Sequence, residues 1–394
     1  MAASTAMAAG YTDSSSSPTE TTKRDDTVFV FNTGDKTVSI IDTATNEVVA
    51  TPHLSVTASF PSNQFAPGLT DAPDDSLWLN VDRGVRAVAV GSLSEVAAIE
   101  TGSGANWLEQ TPDGKHLVVS AREPAHTQYR IDADPTSESF GDVTATIDRT
   151  DEGGRGDRNG PGPCDVTIHP GGEYAYVPDI FGDTLTVIDI EAFEIANQIA
   201  VSPVDDADAA RPWMGTAAWN GEVMLVENNE GATGTESIWD VSDPANPTET
   251  VRVTNEDGLG ERPLTSEIGP DSRTGYVFTP GSNDVTVLDL NAGDVTDRID
   301  LGGSAFVGTW GPSRERLYVP VQTSDEVKVI DHASGEITAT ISVGAKPYGA
   351  TAASVRPEAD ATANLLGTMA TLGVELSDAG TTYCIGNCAC GHRL

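Results

Sequence analysis

The side chains best suited to chemistry crowd the end of this 394-residue chain, where Cys384, Cys388, Cys390 and His392 follow one another closely. Thiolate and imidazole donors so near each other are what Zn²⁺ or Cu(I) takes. Cys384 and Cys388 are four apart, so one turn of irregular backbone brings both sulfurs to a single ion. An extended Cys-x-Cys-x-His run would then point Cys388, Cys390 and His392 to one face. The same thiols could instead close a Cys384–Cys388 disulfide in an oxidising compartment. The spacing leaves zinc, copper and disulfide open. A further candidate is the aspartate that ends a recurring Val-Ile-Asp phrase. A short carboxylate in that place suits a turn between strands, accepting backbone N–H bonds, better than it suits catalysis. No Gly-x-Ser-x-Gly, phosphate-binding glycine loop or Cys-x-x-Cys-His haem motif occurs in the sequence.

The elements that would position any site follow from repetition. The phrase at residues 38–51 returns at 185–194, 285–294 and 327–336, with weaker copies centred on Val90, Asp132 and Asp240. Seven copies spaced by roughly 40–55 residues predict an all-β, seven-bladed β-propeller, one four-stranded blade per copy. One repeat reads as an innermost strand at 164–169, a Pro-Gly-Gly-Glu turn, strands at 174–177 and 184–189, and an outer strand at 195–201. Period-two alternation gives the strands, and Gly/Asp/Asn/Pro clusters give the turns. The first copy opens at 27–31 without an innermost strand, whereas 346–353 matches the innermost-strand starts at 211–218 and 262–265. The strand at 348–352 should therefore pair with 27–31 and close the ring. The expected divisions are a tail at 1–26, the propeller at 27–353, and a tail at 354–394. In that last segment Leu365, Leu366, Met369 and Leu372 recur at helical spacing and predict a short helix packed on the ring.

On Phe29-Val-Phe-Asn32 with Gly34, the Val-Ile-Asp turns and the Gly-Ala-Lys-Pro-Tyr-Gly joint at 344–349, residues 27–353 resemble the YVTN-type seven-bladed propellers of microbial surface proteins. The resemblance implies the fold and is nearly silent about a ligand. Cys384, Cys388 and His392, as Cys-x3-Cys-x3-His, resemble the ligand loop of binuclear Cu(A) centres in oxidase subunits and nitrous oxide reductase, which also carries such a propeller. That loop's usual Met has no counterpart here, and no cupredoxin segment supplies a second His. By repeat position His53 and His126 fall to one face and His116, His169 and His332 to the other, so no histidine cluster is expected. We therefore set nitrous oxide reduction aside and expect a simpler zinc or copper site in the tail.

Charge places the chain. Lys+Arg number 22 against 60 Asp+Glu, a formal net charge of −38. Such a field repels nucleic acid and anionic membranes. The acidic residues are spread over the turns, which resembles the proteomes of extreme halophiles and makes a haloarchaeal source the expectation. At ~1 M salt the Debye length is about 3 Å and self-repulsion is mostly screened. No segment reads as transmembrane. Residues 1–10 are small, with an Ala-x-Ala pattern at Ala6, Met7 and Ala8, and residues 11–26 are rich in Ser, Thr and Asp. These read as an export signal's end plus spacer, or as a disordered tail, and an extracellular or cell-surface location is the expectation.

The blade order also gathers basic residues. Joints between successive blades carry Arg158, Arg211, Arg262 and Lys346, and second-to-third strand turns on the same face carry Arg83 and Arg122. They would ring the channel mouth, with Trp107, Trp213, Phe306 and Tyr348 as adjacent platforms for a small anionic ligand or a protein partner. The same pattern arises if Arg-Pro and Lys-Pro merely recur as repeat consensus, paired to nearby Asp. Insertions at 56–68, 151–162 and 203–210 fall in these joints, and loop elaboration on one face marks a binding side. The expected function is a secreted or surface-attached binding propeller. The alternative is a metal-dependent redox enzyme or electron carrier using the Cys/His tail.

Overall fold

The computed structural model describes residues 26–52, 69, 76–81, 83–91, 93–204 and 207–354. The tails, with Cys384, Cys388, Cys390, His392 and the expected helix, lie outside the described residues, as do His53 and the insertion at 56–68.

Seven antiparallel sheets follow one another along the chain as the blades of a ring. Blade four shows the build: innermost strand Thr167–Ile168, then Tyr174–Asp179, Thr184–Asp189 and the outer strand Glu194–Ala200. The middle strands are buried along most of their length, whereas the outer strand alternates exposed and half-buried residues. The reason is that both faces of a blade's middle strands pack on neighbouring blades, so only the outer strand meets water on one side. Tyr176, Leu185 and Val187 of blade four, for instance, share a core with Met224, Val226 and Trp239 of blade five. In blades four and seven the innermost strand shrinks to Thr167–Ile168 and Thr309–Trp310, with isolated bridges Pro163↔Asp179 and Ala305↔Val321 above them. The backbone between, which includes Asp165, leaves the ladder there.

The ring closes as the repeat pattern requires. Pro347–Ala353 pairs antiparallel with Thr27–Asn32, in register Thr27↔Ala353 through Phe31↔Gly349. The expected turn role of the repeat aspartates also holds. Asp42 accepts from the Ala44 N–H at 2.8 Å, Asp189 from Ala192 at 2.8 Å, Asp240 from Ser242 at 2.9 Å and Asp331 from Ser334 at 2.9 Å. A buried ion pair ties blade three to blade four: Arg149 donates to both oxygens of Asp179 at 2.8 and 2.9 Å. Removing one partner of such a pair strands a buried charge and costs about 3–5 kcal/mol. Among the described residues the one helical turn is a 3₁₀ turn at Asn255–Asp257, and no helix is long and apolar enough to cross a membrane.

Candidate functional site on the ring axis

The basic residues of the mouth owe their places to backbone chemistry. Arg211, Arg262 and Lys346 are left-handed, with φ of 51°, 60° and 50°, as is Arg83 at 70°. That conformation costs a non-glycine residue roughly 1–2 kcal/mol and needs support. The Arg211 N–H donates to Asp183 and the Lys346 N–H to Asp325, each at 2.8 Å. Asp183 and Asp325 end the second-to-third strand turns of the preceding blades, so one turn aspartate anchors the next joint. In blade five Gly234 takes that place, and the Arg262 N–H donates to the Thr233 carbonyl at 2.6 Å instead.

The side chains then diverge. Arg83, Arg262 and Lys346 are exposed. Arg211 is half-buried and pairs with both oxygens of Asp208 at 2.8 and 2.9 Å. Such a surface pair is worth about 0–1 kcal/mol, little enough for a ligand to displace. Arg158 lies over the Phe181 ring at 3.5 Å. Arg122 turns inward, 4% exposed, ion-paired to Glu123 at 2.7 Å with Nη1 3.6 Å from the Cys164 sulfur.

The four aromatic residues converge but do not stand open. Trp107 of blade three stacks on Phe306 of blade seven at 5.8 Å, and Phe306 stacks on Tyr348 of blade one at 4.4 Å. Trp213 joins the same buried cluster. Blade three lies across the ring from the neighbouring blades seven and one, so the stack crosses the axis.

Past the stack lies a cavity of about 60 Å³, lined by Trp107, Glu109, Asp165, Met214, Ser266 and Glu267 among others. It is acidic. Glu109 and Glu267 occupy the register position where blades one, four, five and seven carry Thr351, Thr167, Thr216 and Thr309. Asp165 accepts from the Gly215 N–H at 2.9 Å and from Thr167, yet burial pushes its carboxyl up to about 6. Behind Ser266 sits a carboxyl pair, Glu227 and Glu236, directly opposite each other in the ladder of blade five. Other blades fill that pair with Phe31 and Val38, Pro178 and Leu185, Phe278 and Val285, or Pro320 and Val327. Both glutamates are fully buried; the Ser266 hydroxyl stands beside the Glu227 carboxyl, and among the described residues neither oxygen of Glu236 has a hydrogen-bond partner. Burial first, then the Asp165 charge, pushes Glu227 up to about 7, against the pull of the Ser266 hydroxyl. Glu236 and Glu267 are held well above the usual carboxylate range by burial and by their glutamate neighbours. No motif in the sequence marks this acid run. Its signal was a carboxylate standing where the repeat has threonine or an apolar residue.

The described histidines stay apart. His126 Nδ1 accepts from the Gly162 N–H at 3.2 Å. On the opposite face, His169 Nδ1 accepts from Gly171 at 3.0 Å, and His332 meets the Tyr276 hydroxyl at 2.9 Å. His116, also on that face, is lowered by burial and by Arg130. Among the described residues no group of three His, Cys, Asp or Glu side chains could hold a metal ion.

No family model and no curated protein matches the chain. Solved structures do. A protein from Lactobacillus plantarum superposes with a TM-score of 0.66 at 12% identity, covering 83% of this chain and 99% of its own. The periplasmic gluconolactonase of Pseudomonas aeruginosa gives 0.65 at 15% identity, covering 84% and 99%. A 6-phosphogluconolactonase-like protein of Bacteroides uniformis gives 0.63 at 12% identity, covering 83% and 99%. At such identities the likeness is one of fold.

Proposed function

We propose that the propeller is a binding module whose small anionic ligand docks on the ring face carrying Arg83, Arg211, Arg262 and Lys346. The carrying observation is the repeated joint: Arg211 and Lys346 are set in equivalent left-handed positions by the same aspartate bond, and Arg262 by a carbonyl. In a chain with 22 basic against 60 acidic residues, such recurrence at one mouth supports an anion site. The aromatic stack beneath supplies a rigid floor. Isothermal titration with glucose 6-phosphate and citrate as probes tests the reading. Saturable binding of either probe is expected, lost when Arg211, Arg262 and Lys346 are replaced by alanine together. Binding that survives the triple replacement, or no binding of either probe to the parent protein, counts against it.

Two finer proposals stand beside this one. Export to the cell surface rests on the Ala-x-Ala pattern at Ala6, Met7 and Ala8, and fractionation of cells and medium tests it. Metal binding by Cys384, Cys388, Cys390 and His392 rests on their spacing alone. Metal analysis with thiol titration tests it, two missing thiols without metal establishing the disulfide instead.

A further inference from the structure

We infer that the acidic interior of the ring, from Glu227 and Glu236 through Ser266 to Glu267 and Asp165, is a second site, built for the ammonium head of a small amine. Four blades hold an apolar cross-strand pair at the position of Glu227 and Glu236, so the fold does not need carboxylates there. Two buried carboxyl groups, Glu227 with only the Ser266 hydroxyl beside it and Glu236 with no hydrogen-bond partner among the described residues, are a standing cost that packed apolar side chains would avoid. What would satisfy them is a group that brings donors and positive charge together.

The neighbours agree with that chemistry. Glu227 and Glu236 stand on the second and third strands of blade five, on the same face of their sheet as Leu225 and Ile238, which pack with Ile268 of blade six. The pair therefore looks toward the innermost strand of blade six, where Ser266, 3% exposed, lines the axial cavity and sets its hydroxyl beside Glu227. Arg252 on the outer strand, whose charge acts on Glu236, is committed to Glu230 and to Glu249, the latter at 2.6 Å. The cavity of about 60 Å³ compares with roughly 10–15 Å³ for one water by the same measure, so it admits a few heavy atoms. A directly coordinated metal is disfavoured, since no three acidic, thiol or imidazole groups among the described residues converge on one point. An ammonium group instead reaches dispersed acceptors through its three separate donors. The inference does not depend on what the basic mouth binds.

Thermal unfolding at constant ionic strength and pH 8 tests it, comparing ammonium, ethanolammonium, potassium and tetramethylammonium chlorides. Ammonium or ethanolammonium should raise the melting temperature by several degrees over the other two salts, and Glu236→Gln should abolish the difference. Potassium acting as strongly as ammonium, or tetramethylammonium doing so, overturns the assignment, because those ions carry no N–H donors. Equal melting in all four salts overturns it too. Glu267→Gln serves as a second isosteric variant should Glu236→Gln fail to fold, with the same expected loss. An effect of ethanolammonium without one of ammonium would identify the amine head of a larger molecule as the ligand; the reverse would identify the free ion.

Discussion

Glu227, buried against Glu236 and Ser266, couples proton binding to folding. Its carboxyl is raised from 4.5 to about 7 in the fold, so between those values the native state holds a proton that the unfolded chain has released. Stability from this group is therefore fully present below about pH 4.5 and is lost as pH rises through about 7. At about 1.4 kcal/mol per pH unit the loss amounts to at most ~3 kcal/mol. Asp165, raised to about 6, acts with the same sign over a lower window. Urea unfolding at pH 5 and pH 8 should find the protein less stable at pH 8, and Glu227→Gln should flatten that difference. A Glu227→Gln profile parallel to the parent's would show that the group is not buried as described. None of this was legible at the level of motif, because an isolated glutamate in a strand resembles the chain's many solvated acids. The carboxylate pair emerges only when register sets Glu227 against Glu236 and aligns both with the apolar pairs of other blades.

At the scale of elements, the repeat made the blades, the closing strand and the turn aspartates legible, since each is written in a period that recurs along the chain. Less legible were the innermost strands, where channel-facing positions depart from the repeat and blades four and seven leave the ladder early. The basic joints lay between these extremes: position followed from the repeat, while the burial of Arg122 and the pairing of Arg211 depended on Glu123 and Asp208, which no period announces. Close strand packing supplies a test at this scale. Gly84 opens the middle one of the three described strands of blade two, Gly84–Ala89, and a Cβ there would lie 2.0 Å from the Ile99 carbonyl oxygen on the outer strand. Backbone must shift to admit it, an overpacking cost of about 1–3 kcal/mol or more. Gly84→Ala should lower the urea midpoint by that measure. An unchanged midpoint would mean that blade two does not pair as described.

The whole molecule carries a formal net charge of −38, and several of its described Arg and Lys side chains are drawn into local pairs. Desalting lengthens the Debye length from ~3 Å at 1 M to ~30 Å at 0.01 M and exposes the acidic surface to its own repulsion. The melting temperature should fall steeply over that range, and a flat response would argue against a halophilic origin. The same screening bears on the proposed anion site, since an anion would have to reach Arg83, Arg211, Arg262 and Lys346 against the field of the entire body, with local charge and geometry alone to hold it. The most direct test of an anion site on this face is to locate one. Crystals soaked in selenate, read by anomalous scattering, should show an oxyanion on the ring axis within reach of Arg211, Arg262 or Lys346. Selenate found only elsewhere on the molecule, with that face empty at saturating concentration, would contradict the account.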